Sequence, residues 1–67
     1  MTTVMKRANQ LDATDIGATF CWRGRRYRID AIYPSPDNRR IVGHRIDGPG
    51  GRLDAYYRDN QTIELTR

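Results

Sequence analysis

The stretch Ala18-Thr19-Phe20-Cys21-Trp22-Arg23-Gly24-Arg25-Arg26-Tyr27-Arg28-Ile29-Asp30-Ala31-Ile32-Tyr33 decides the fold. Aromatic and β-branched residues alternate with polar ones on both sides of Arg23-Gly24. That pattern fits a half-buried strand better than a helix. Glycine accepts the positive φ of a tight hairpin turn, so the stretch reads as two antiparallel strands, Ala18–Trp22 and about Arg26–Tyr33. Opposed residues of such a hairpin share a face. A turn of two or four residues then gathers Phe20 and Trp22 with Tyr27, Ile29 and Ala31. The other face carries Thr19, Cys21, Arg26, Arg28 and Asp30. Ile32 lands on that second face as a misfit.

Downstream, Pro34-Ser35-Pro36-Asp37-Asn38 reads as a loop, because proline cannot donate to a ladder and Asp and Asn favour turns. A third strand follows over about Arg39–Asp47. Gly48-Pro49-Gly50-Gly51 is the clearest breaker in the chain. A fourth strand spans about Arg52–Arg58, Asp59-Asn60-Gln61 turns, and Thr62–Thr66 forms a fifth. Pairing through Pro49-Gly50 sets Ile46 opposite Leu53 and Val42 opposite Tyr57, with His44 on the inward face. Arg45, Asp54, Tyr56 and Arg58 then face outward, and Ile41 is a second misfit. Upstream, residues 1–13 are polar and weakly periodic. They read as a tail or as a short helical turn over Met5–Leu11, which leaves residues 14–67 as the domain.

The chain has 67 residues, enough for one small domain. Such a domain buries only ~60% of its unfolded surface, so few residues carry the core. The candidates are Ile16, Phe20, Trp22, Tyr27, Ile29, Ile32, Val42, Ile46, Leu53, Tyr57, Ile63 and Leu65. Strands broken by turns every eight to twelve residues suggest an all-β sandwich or barrel. Five short strands, a long second loop, a Gly-rich turn and a short turn before the last strand resemble an SH3-like small β-barrel. The run Thr14-Asp15-Ile16-Gly17, leading into Phe20-Cys21-Trp22 and Tyr27-Arg28-Ile29, looks like the entry to such barrels in small bacterial and phage proteins. The resemblance covers about residues 14–66 and implies a five-stranded antiparallel barrel. It assigns no functional residue. The acidic loop used by peptide-binding SH3 domains is missing, which argues against proline-rich peptides as ligands.

Catalytic machinery is hard to assemble from this composition. A nucleophile needs an adjacent base and an orienting group. Cys21 and His44 are the only residues of their kinds. Zinc needs four Cys or His ligands, or three and an open position. Gly48–Gly51 lacks the Lys-Ser/Thr ending and following helix of a phosphate loop. The expectation is a binding module without enzyme activity, metal or cofactor. One cysteine allows no intrachain disulfide, and Met1 to Leu11 has no signal-like apolar run. No window approaches the ~20 apolar residues of a membrane span. A cytoplasmic protein that does not enter membranes is expected.

The partner is suggested by charge. Twelve basic against eight acidic residues give a formal net charge of +4. All the basic residues except Lys6 are arginine, which pairs with phosphate or carboxylate through a planar fork. Four of them sit in Trp22-Arg23-Gly24-Arg25-Arg26-Tyr27-Arg28, at one hairpin tip between two aromatics. Such a tip can track a phosphate backbone. Trp22, if its ring is exposed, can stack on a base. Arg39 and Arg40 extend the patch, and Tyr56 and Arg58 join it from the outward face of the fourth strand. DNA or RNA is the preferred partner. The competing reading is a phage or bacterial accessory protein that docks on a protein or self-associates, since Arg, Trp and Tyr also anchor protein interfaces. The bland alternative is a solvated arginine face that guards a sheet edge against aggregation.

Overall fold

Arg23 and Gly24 both adopt positive φ, 51° and 79°. Two central residues of that hand make the two-residue turn whose twist matches a right-handed hairpin. The turn pairs Trp22 with Arg25, Phe20 with Tyr27 and Thr19 with Arg28. The computed structural model describes residues 2–67; Met1, at the head of the segment read as a tail, lies outside the described residues. From this hairpin the chain builds an all-β molecule of six strands. They are β1 (Thr3–Arg7), β2 (Thr19–Trp22), β3 (Arg25–Pro34), β4 (Asn38–Arg45), β5 (Arg52–Arg58) and β6 (Thr62–Thr66). All neighbours are antiparallel, in the order β1-β6-β2-β3-β4-β5. No helix among the described residues is long and apolar enough to cross a membrane.

The expected closed five-stranded barrel is corrected on two counts. The sheet is open, with β1 and β5 as its edges, and it has a sixth strand. The extra strand is β1, from the segment expected to be tail or helical turn. It pairs with β6 from Thr3↔Thr66 to Arg7↔Thr62. Its alternation was concealed by chemistry. The position level with Ile63 is Lys6, so a charge stands where an apolar residue would have signalled a strand. A 3-10 turn at Ala8–Gln10 follows and packs on β4 and β5. Its backbone bonds to the β5–β6 turn, Ala8 N–H to Gln61 O at 2.8 Å and Asn9 N–H to Asp59 O at 3.1 Å. The curled sheet is thus bridged at its open side by this turn and not by strand pairing.

A second 3-10 turn, Ala13–Asp15, is capped by Asp12, whose carboxylate accepts from the Thr14 N–H. The Thr14 hydroxyl and N–H hold the Asp12 carboxyl below its usual range. Asp15 is completely buried, and its charge is met from three directions. Lys6 Nζ lies 3.1 Å from both carboxylate oxygens, the Asp12 N–H donates at 3.0 Å, and the Arg67 guanidinium closes the third side. A buried carboxylate persists only when paired and hydrogen-bonded in this way. The cluster fastens β1 and the C-terminal residue to the turn between them.

Two register effects decide which residues face inward. The β3–β4 ladder runs Ile29↔Gly43 and then Ala31↔Val42, so Asp30 is an extra residue, a β-bulge. A bulge inverts the alternation beyond it. Ile32 therefore turns inward level with Ile41, and the two misfits resolve together. Ile41 is fully buried and Ile32 packs against the core. The β4–β5 ladder pairs Gly43 with Leu53, Val42 with Asp54 and Ile41 with Ala55. The expected pairs Ile46–Leu53 and Val42–Tyr57 are corrected, because the loop between the strands is longer than a two-residue turn. Arg45 folds beneath it, donating to Asp47 at 2.7 Å and to the Pro49 carbonyl at 3.2 Å. A Cβ on Gly50 would meet the Arg45 side chain at 2.5 Å, so glycine is required there.

The core accordingly combines Phe20, Tyr27, Ile29, Ile41, Tyr57, Ile63 and Leu65 with the small residues Ala8, Ala18 and Ala55. Trp22 and Leu53 are partly buried against it. Ile16 and Ile46, expected inside, are 48% and 40% exposed. Ile16 lies outside because the preceding turn gives its inward position to Asp15, and Ile46 because the register of β4 is inverted. For the same reason His44 is on the outer face, where Nδ1 meets the Asp30 carboxylate at 2.9 Å.

Candidate functional site

The two-residue turn projects Arg23, Gly24 and Arg25 beyond the body of the sheet, and alternation along β3 turns Arg26 and Arg28 to its outer face. Arg23 folds back so that its guanidinium carbon lies 5.5 Å from the centre of the Trp22 ring. Trp22 in turn meets the Tyr57 ring edge-on at 5.3 Å. The indole is thus half wall, half surface: one side seals the core and the other carries a cation. Its role as a base-stacking ring is restricted by that packing.

Most other cations are engaged. Arg39 is level with Pro34 and Tyr57, away from Arg40, and donates to Asp59 at 3.0 Å and to the Ser35 and Asn38 carbonyls. It braces the Pro34–Asn38 loop. Arg40 grips Asp54 through two nitrogens, at 2.9 and 3.2 Å, which raises its pKa further above an already high value. Arg45 binds Asp47, and together with the Arg26 N–H it holds that carboxyl below its usual range. Lys6 and Arg67 share Asp15. Arg52 is 3.8 Å from Asp54. Among the described residues, Arg7, Arg23, Arg25, Arg26, Arg28 and Arg58 have no carboxylate within ion-pair distance. Four of these six lie on one hairpin, so the uncompensated charge is concentrated there.

The outer face of β3–β4–β5 continues from the hairpin. Arg28, His44 and Arg52 stand level across the three strands. Further along, Tyr33, Arg40 and Tyr56 form a second row. Tyr56 and Arg58 were expected on this face; Tyr33 was not. Unbroken alternation along β3 would carry Tyr33 inward, and the bulge at Asp30 brings it out. The available signal was the misplacement of Ile32, its neighbour. A shallow concavity beside Arg26 and Arg28 is lined by Thr19, Ile46, Thr66 and Arg67.

Cys21 is exposed on the outer face, level with Arg26. His44 is 14 residues from its carboxylate partner Asp30 in sequence, and the pair lies on an open face without a cleft. Among the described residues no three His, Cys, Asp or Glu side chains gather closely enough to hold a metal ion. Comparison with protein-family models, with curated proteins and with solved structures finds no match to this chain.

Proposed function

We propose that this domain binds nucleic acid through the β2–β3 hairpin and the outer face of β3–β4–β5. The observation that carries the reading is the distribution of unpaired charge: among the described residues the guanidinium groups of Arg23, Arg25, Arg26 and Arg28 have no carboxylate within ion-pair distance, whereas most of the remaining cations do. A polyanion can satisfy a set of guanidinium groups that the fold leaves free, and each phosphate contacted releases condensed counterions. Contacts of this kind position a backbone without reading sequence.

The test is a titration against single- and double-stranded DNA and RNA at two salt concentrations, with Arg23, Arg25 and Arg26 replaced together by alanine. Affinity falls steeply with salt for the native chain. In the triple variant the slope of log K against log salt becomes shallower by ~2 to 3, from the ~0.7 to 0.9 lost per phosphate contact. No binding at low salt refutes the reading. The second reading is a protein partner. It is favoured by Ile16 and Ile46, 48% and 40% exposed, which both border surface near Gly17 and Arg67. An interface anchored there tolerates salt and is insensitive to the triple substitution.

A further inference from the structure

We infer that the nucleic acid bound by this face is single-stranded, with its bases stacked on Tyr33 and Tyr56; this rests on the nucleic-acid reading above and specifies its ligand. The two tyrosines stand on either side of Arg40 in one cross-strand row. Their Cα atoms are two strand spacings apart, about 10 Å. They are 51% and 60% exposed, unlike the buried Tyr27 and Tyr57. Asp54 pins Arg40, and its guanidinium carbon rests 5.4 Å from the centre of the Tyr33 ring. Arg40 therefore backs Tyr33 from one side and leaves the rest of the ring to solvent.

A half-exposed flat ring on a sheet, with a cation beside it, is a surface for an unpaired base, since every base has a π-face. A duplex hides those faces in its own stack and offers only phosphates and groove edges. Nothing on this face needs the tyrosines for duplex contacts, because the hairpin arginines already supply the charge. The row of Tyr33 and Tyr56 lies roughly 20 Å from Arg26 along β3, at ~3.3 Å per residue. That distance suits a short run of extended nucleotides, with phosphates near Arg26 and Arg28 and bases over the tyrosines.

The experiment measures anisotropy of a labelled twelve-nucleotide oligothymidylate and of a twelve-base-pair duplex at low salt, with circular dichroism to show that each variant is folded. The native chain prefers the single strand. Tyr33→Ala and Tyr56→Ala each weaken its binding by about 5- to 150-fold, the range for losing one base–aromatic stack, and leave duplex binding unchanged. Tyr33→Phe and Tyr56→Phe retain the single-strand affinity, because they keep the ring. Equal or tighter duplex binding, with alanine at either tyrosine leaving the oligothymidylate affinity intact, overturns the inference while the nucleic-acid reading stands. Absence of binding to both probes overturns both.

Discussion

Tyr57 shows how much one buried side chain can govern. Its ring is held between Trp22 and Phe20, edge-on to each, and burial pushes its phenol up to about 12 from an ordinary value of 10. A raised phenol means that the folded state prefers the neutral form, so the unfolded chain loses its proton first as pH rises. The contribution is intact below pH 10 and disappears between pH 10 and 12. Ultraviolet titration will therefore find Tyr57 ionising late or only with unfolding. Tyr57→Phe will remove that late step and move the alkaline unfolding midpoint upward, because the ring contacts survive and the ionisable group does not. Tyr27, Ile29, Ile63 and Leu65 were legible as core from alternation alone. Asp15 was not, because its burial depends on Lys6 and Arg67, nine and fifty-two residues away in the chain.

At the scale of elements, β2, β3, β5 and β6 were legible because turn residues bracket their alternating runs. The hairpin arginines were legible as a cluster for the same reason. Besides strand β1, whose alternation Lys6 conceals, two features were hidden: the bulge at Asp30 and the length of the β4–β5 connection. Each shifts a pairing by an amount that inverts faces, and neither has a local composition that marks it. Their effects on the site differ. The inverted β4 register exposes His44 and Arg40, while the bulge exposes Tyr33. Deleting Asp30 tests the second point. With the extra residue gone, Ala31 follows Ile29 directly and the pairs Ile29↔Gly43, Ala31↔Val42 and Ile32↔Ile41 form an unbroken ladder, so Ile32 stays inward and Tyr33 outward. The deletion will therefore leave the core intact and change stability, read from the denaturation midpoint, by no more than about 1 kcal/mol. Asp30→Ala, which keeps the bulge and loses only the His44 contact between exposed groups, will cost less than about 1 kcal/mol.

Across the whole molecule, stability rests on joining chain ends to the middle. The Asp15 cluster ties β1, the Ala13–Asp15 turn and Arg67 at one point. Replacing Asp15 by asparagine leaves two cations facing a neutral amide. The loss will be about 2–4 kcal/mol, toward the lower part of the range for broken buried pairs because Lys6 and Arg67 keep partial access to water. Urea unfolding that shows a reduced midpoint with an unchanged slope will verify this. The same arrangement says something about how the protein is made. Within this domain β1 is made before the other strands, and among the described residues its one strand partner is β6, which is made after them. β2 meets β6 as well, through two residue pairs, Thr19↔Thr66 and Phe20↔Leu65. A nascent chain halted before Thr62 therefore presents the β2–β5 meander with β1 dangling and Phe20 uncovered on one side. Closing a loop of this length is slow relative to forming the local hairpins. The arginine hairpin can thus be in place early in synthesis, while the domain that supports it is completed only after Thr62–Thr66 have emerged.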